Sequence, residues 1–204
     1  GHISRGQVMG FFDGFAHYPV AKPLAFASWD DSVGSGHLDA AQNGLAHDLM
    51  RGLKRENFWV LETQPGAVNW AGVNNVLNRG EVRAMAWQAI AHGADYVGYW
   101  QWRSALNGQE QYHGVLVGPD GTAVPLLEEV AQVGREFEKT EAAFRGTSPK
   151  SEVALLHSYQ SRWAIDWQRQ NKNYDEIAVL RNYYRALRGI AQSVDVISPE
   201  DSLD

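Results

Sequence analysis

A single carboxylate closes an apolar run directly before a chain breaker in Phe58-Trp59-Val60-Leu61-Glu62-Thr63-Gln64-Pro65-Gly66. The run reads as a buried strand. Glu62 then leaves that strand at its carboxyl end, where parallel α/β folds open their ligand crevice. It is the first candidate for acid, base or nucleophilic chemistry. A second carboxylate, Glu110, lies in Asn107-Gly108-Gln109-Glu110-Gln111-Tyr112-His113-Gly114, after the next strand-like segment. Two carboxylates flanking one pocket are the minimal equipment for cleaving a glycosidic bond. Glu110 by composition alone reads first as a solvated loop acid, and His113 as either a hydroxyl ligand or a structural histidine. Trp70 follows Glu62 beyond the Pro-Gly break, so its indole can fold back over the same pocket or anchor a loop on the rim. Arg103 pairs with a carboxylate, either in the site or in a structural ion pair.

Composition narrows the ligand. The formal net charge of -6 provides no basic stripe, so nucleic acid is not an expected partner. Without cysteine there is no disulfide and no thiolate metal site, and the histidines lack the paired spacing of HExxH. Neither a metal nor any other cofactor is expected. No apolar run is long enough to span a bilayer and the amino terminus has no leader pattern, which points to the cytoplasm and away from membranes. Eight tryptophans are present, six of them between Trp29 and Trp102. Indoles fill cores. Clustered near polar strand ends, they also offer flat faces to a sugar ring.

Strand and helix signals alternate along the chain. Val8 to Phe12 and Leu24 to Trp29 read as buried strands; Leu38, Ala41, Leu45, Leu49 and Leu53 recur at helical spacing. After the Glu62 strand, Val82 to Ile90 forms a helix ended by Gly93, Tyr96 to Trp100 a strand, and Leu126 to Phe137 a helix opened by Pro125. Repeated β-α units mean parallel strands, either in a small open sheet or in the last part of a (β/α)8 barrel. Gly146 to Lys150 has linker composition. Beyond it, Val153 to His157, the helix Asp175 to Ala191, and Val194 to Ser198 form one β-α-β unit. Two strands are few for a parallel sheet covered on both faces. The first unit thus reads as lacking its beginning and the second its end.

FWVLETQPG with VNWA, GADYVGYWQWR and GQEQYHGVLVGPDG resemble the second half of a glycoside hydrolase family 42 β-galactosidase; MGFFD, ASWD, HDLMRGLK and the final RALR...VDVISPEDSL also fit. The resemblance covers nearly the whole chain. It implies an α/β fold comprising the last strands and helices of a TIM (β/α)8 barrel in residues 1–146. In residues 147–204 it implies the beginning of a flavodoxin-like trimerisation domain. It also implies retaining hydrolysis of terminal β-D-galactosyl residues, with Glu62 as nucleophile and Trp70, Glu110 and His113 holding the galactose. The family's acid/base glutamate follows an asparagine, and no Asn-Glu pair precedes Glu62. The expected protein is therefore a homotrimer when full length, and a fragment inactive alone that needs the other half of the barrel in cis or in trans. Family members also carry Tyr-Pro soon after Trp-Asp, where Asp31-Ser32-Val33-Gly34 stands here. A rival reading is a non-catalytic galactoside-binding or scaffold module. A stand-alone flavodoxin-like domain is disfavoured by the lack of a Gly-rich phosphate loop.

Overall fold

The computed structural model describes residues 2–4, as backbone, and 16–202. Four strands, β1 (His2–Ser4), β2 (Ser28–Asp31), β3 (Phe58–Thr63) and β4 (Ala94–Tyr99), form one sheet in the order β1-β2-β3-β4, with every pair parallel. Helices α1 (His17–Ala21), α2 (Ala40–Gly52) and α3 (Glu81–Ala91) connect them, and α4 (Leu126–Phe144) follows. Strand order never reverses. With right-handed crossovers, an unreversed order puts all helices on one face, as in a barrel, whereas a doubly wound sheet needs a switch point.

Several local boundaries differ from expectation. The segment Val8 to Phe12 lies outside the described residues, apart from the observed β1. The expected strand from Leu24 starts only at Ser28, because Leu24 N–H donates to the Ala21 carbonyl at 3.0 Å and so belongs to the turn ending α1. Gly93 adopts φ +96°, the left-handed geometry expected after α3. Pro125 is the N-cap of α4.

The second unit pairs β5 (Ala154–Leu156) with β6 (Asp195–Ile197) in parallel. Its crossover holds two helices, α5 (Tyr159–Trp167) and α6 (Glu176–Arg188). Periodicity misses α5 because its apolar Ile165 and Trp167 face solvent while Tyr159 and Arg162 are buried. Its start is set instead by Ser158, whose Oγ accepts from Ser161 N–H at 3.2 Å. Asp175 likewise caps α6, accepting from Ala178 N–H, and Gly189 closes it three residues short of Ala191.

Helix α2 lies between the two sheets, and every residue from Asn43 to Gly52 is buried. One side meets Trp29, Phe58 and Val60; the other meets Tyr184 and Val196, so a single apolar cluster runs through both units. A Cβ on Gly52 would fall 1.9 Å from the Val196 carbonyl oxygen, so only glycine lets α2 approach β6 this closely. Arg51 ties the contact: it donates to Asp48 (2.6 Å), the His92 carbonyl (2.6 Å), the Val194 carbonyl (3.0 Å) and Asp195 (2.7 Å). Asp48 also lies 2.7 Å from His92 Nδ1 and accepts from the Tyr184 hydroxyl at 2.5 Å. Burial works against the Arg51 charge, but Asp48 and Asp195 outweigh it and hold the guanidinium above its ordinary range.

Candidate active site at the strand ends

Glu62 is half-buried one residue before the end of β3. Strict alternation would give it the helix-facing side of Phe58 and Val60. Register irregularities between Trp29 and Asp30, and between Val60 and Thr63, break that alternation at its level, the kind of local distortion that re-aims a side chain at a barrel rim. Thr63 then pins the strand end. Its hydroxyl donates to the Asp31 carbonyl at 2.7 Å, and its carbonyl accepts from Trp100 N–H at 2.9 Å.

Asp30 occupies the register position opposite Glu62 on β2, which places a second carboxylate at the neighbouring strand exit. Ser32 Oγ donates to it at 2.7 Å. Pairing through the bulge shows this neighbour; the sequence motif alone does not. Asp31 belongs to the buried side instead, where its Oδ2 accepts from Asn43 at 2.9 Å and lies 3.6 Å from His47 Nε2.

The two loops that follow β3 and β4 are fastened together. Gly114 N–H donates to the Ala67 carbonyl at 2.6 Å, and Asn69 Nδ2 donates to the Gln109 carbonyl at 2.5 Å. Gly66 and Gly114 meet backbone to backbone: a Cβ on Gly114 would sit 2.8 Å from Gly66 Cα. These contacts bring the Trp70 loop and the loop carrying Glu110 and His113 to the same end of the sheet as Glu62.

Within that cluster, Glu110 occupies a 3-10 turn, Gln109–Tyr112. Trp100 Nε1 lies 3.5 Å from its Oε2, while Gln101 Nε2 holds its carbonyl at 2.9 Å. His113 is buried beneath the turn; its N–H donates to the Glu110 carbonyl at 3.1 Å, and Nδ1 is 3.2 Å from the Gly114 carbonyl. Trp70 is 53% exposed, and Trp100 and Trp102, in the segment that follows β4, are exposed as well. The tryptophans therefore divide by position. Trp29 is core, whereas three indoles at the strand ends remain open to a ligand.

Arg103 makes no close ion pair among the described residues; its Nη2 donates to the Pro119 carbonyl at 2.6 Å. The nearby Asp120 carboxyl is held below its ordinary range chiefly by hydrogen bonds from Thr122, with a smaller contribution from the Arg103 charge. Among the described residues, no three His, Asp or Glu side chains gather closely enough to hold a metal ion, and no helix is long and apolar enough to cross a membrane.

Chemically, the arrangement offers a carboxylate with a fixed backbone, a second carboxylate on the adjacent strand, and a rim of indoles, amides and a further acid. That combination suits a polyhydroxylated ring whose C–H face needs an apolar platform and whose hydroxyls need acceptors and donors.

The sequence comparisons agree on one family. A sequence profile described as β-galactosidase, of glycoside hydrolase family 42, matches residues 3–140, and one described as the β-galactosidase trimerisation domain matches residues 151–204. A β-galactosidase of Thermus sp is 36% identical over 221 residues, covering all of this chain and 34% of its own length. One from Haloferax lucentense is 36% identical over 213 residues, covering 95% of this chain and 31% of the relative. The chain thus spans about a third of the length of the curated relatives it matches.

Among solved structures, the β-galactosidase of the psychrophilic Marinomonas ef1 superposes with a TM-score of 0.88 at 30% identity, over all of this chain and 34% of that one. A family 42 β-galactosidase from G. stearothermophilus, solved as a glutamate-to-alanine catalytic mutant, superposes at 0.83 with 32% identity, over 93% and 29%.

Proposed function

Because this chain belongs to the family 42 β-galactosidases, we propose that it contributes the nucleophile and part of the galactose subsite of a retaining β-galactosidase. Glu62 is the nucleophile, and Trp70, Glu110 and His113 hold the sugar. The observation that carries this reading is the convergence on one strand end: the Glu62 exit, the exposed Trp70 indole and the Glu110 turn meet where two loops are bonded together.

In this mechanism the ionised Glu62 attacks the anomeric carbon and forms a glycosyl ester as the bond to the leaving oxygen breaks. A second, protonated carboxyl about 5 Å away donates its proton to that oxygen, and then removes one from the water that hydrolyses the ester. Asp30 accepts a hydrogen bond from Ser32 and flanks Glu62 on the adjacent strand, a position suited to holding a hydroxyl or orienting Glu62. We assign the proton donor to a residue outside these 204. A chain of these residues alone would then bind without turning over. General acid catalysis is worth about 10²–10⁴ in rate.

The division at residues 146 and 147, and a homotrimeric intact protein, belong to the same proposal; the trimerisation-domain match supports the latter. Turnover of an aryl β-galactoside by the intact protein and its Glu62→Gln variant tests the assignment. Loss of turnover with retained galactose binding is expected, and near-normal turnover in the variant refutes it. Binding without turnover in the unmutated intact protein would favour a sugar-binding module instead.

A further inference from the structure

We propose that Gly34 is a positioning residue: it seats the Trp70 indole and so sets the shape of the galactosyl subsite. This rests on the reading of Trp70 as a sugar platform. A Cβ built on Gly34 would lie 2.9 Å from Trp70 Cζ3, closer than real Cβ contacts come, and 3.2 Å from Cη2, a tight contact. The far edge of the indole therefore rests on the bare face of the glycine, while the ring stays 53% exposed.

The two loops cannot easily slide apart to relieve a larger side chain. Ser35 Oγ donates to the Val73 carbonyl at 2.7 Å. Asn75 joins both polar groups of Gly36, accepting from its N–H at 2.6 Å and donating to its carbonyl at 2.6 Å. At the inner end, Val33 N–H donates to Gln64 Oε1 at 2.5 Å, and Gln64 Nε2 to the Gly66 carbonyl at 2.6 Å. Fastened on both sides of the contact, the loops leave the indole as the part that must move. Gly34 has no left-handed backbone requirement, so a substitution there acts through the space it fills.

A platform under a sugar ring contacts ground state and transition state alike, so its misplacement raises KM more than it lowers kcat. Gly34→Ala should raise KM for an aryl β-galactoside a few-fold and Gly34→Leu about tenfold, given that a misplacement of about 1 Å costs up to about 100-fold. The direct probe is fluorine NMR of the intact protein labelled with 5-fluorotryptophan, with the Trp70 line assigned by Trp70→Phe. Both Gly34 substitutions should move that line without sugar and leave the Trp29 line in place; an unmoved Trp70 line overturns the proposal.

Galactose titrated into the unsubstituted protein should also move the Trp70 line. If it does not, the sugar-platform reading falls and the subsite role of Gly34 with it, although the shift on substitution would still establish the contact. In a Trp70→Ala background, Gly34→Leu should add no further loss of galactoside affinity. Additive losses would overturn the claim that Gly34 acts through Trp70.

Discussion

Two regions of this molecule use the same residue types for opposite ends. Around Arg51, at the junction of α2 and β6, buried Asp48, His92 and Tyr184 and half-buried Asp195 are drawn into one set in which each charge meets a partner. At the strand ends, Glu62 and Glu110 are half-buried, and the indoles of Trp70, Trp100 and Trp102 face solvent. Acid and histidine content alone does not separate a site from a strut. What separates them is exposure: a buried, satisfied network specifies packing, while half-buried carboxylates near exposed indoles are within reach of a ligand.

The sharpest break of this comparison is Glu62→Gln, expected to cut turnover of an aryl β-galactoside by about 10⁴-fold or more while leaving the unfolding midpoint within experimental scatter. A large fall in stability would move Glu62 into the structural class. Arg51→Met should do the reverse. Removing one partner of a buried ion pair typically costs about 3–5 kcal/mol, to be read from denaturant unfolding, with KM unchanged in the protein that remains folded. An unchanged midpoint would mean that the junction carries no stability of its own.

Acid titration sharpens the contrast further. His17 of α1 and His157 of the second unit both lie against Tyr159, with ring centroids 5.2 and 4.5 Å away. Burial first, and then the Arg162 charge, lowers each histidine to about 4. Between pH 6.5 and 4 the unfolded chain binds more protons than the folded one, so their contribution is complete above pH 6.5 and is lost as pH falls through that window. The loss is up to about 3 kcal/mol for each histidine. His157→Phe should flatten the acid limb of a stability profile relative to the parent; parallel limbs would refute the linkage. The smallest effect is expected from Tyr184→Phe, which deprives Asp48 of one donor at a cost of about 1–3 kcal/mol and leaves galactoside kinetics untouched.

Much of the candidate site is legible because its signals are local. Glu62 stands out by its place between an apolar run and Pro65-Gly66, and the loop with Glu110 and His113 is dense in amides. The contributions of Asp30 and Gly34 are not legible. One depends on register between strands about thirty residues apart, the other on loops that meet only in the folded chain. Helix α5 escapes for a related reason: its buried side carries Tyr159 and Arg162 rather than an apolar stripe. The sequence pattern also reads α2 as an ordinary one-sided helix through Leu45 and Leu49. In the structure Asn43 and His47 are buried against Asp31, Trp29 and Phe58 of the first sheet, and Asp48 and Arg51 are buried because the second unit covers a face that the pattern assigns to water.

By itself the sequence determined the β-α alternation, the family, and the residue at the exit of β3, since each follows from periodicity, breakers and motifs within short windows. Tertiary structure alone decided that the strands run in unreversed order, that α2 is buried on two sides, and which indoles stay exposed. Those outcomes depend on partners distant in sequence: Arg51 and Asp195 meet across the whole second unit, and Gly34 meets Trp70 only after both loops have closed.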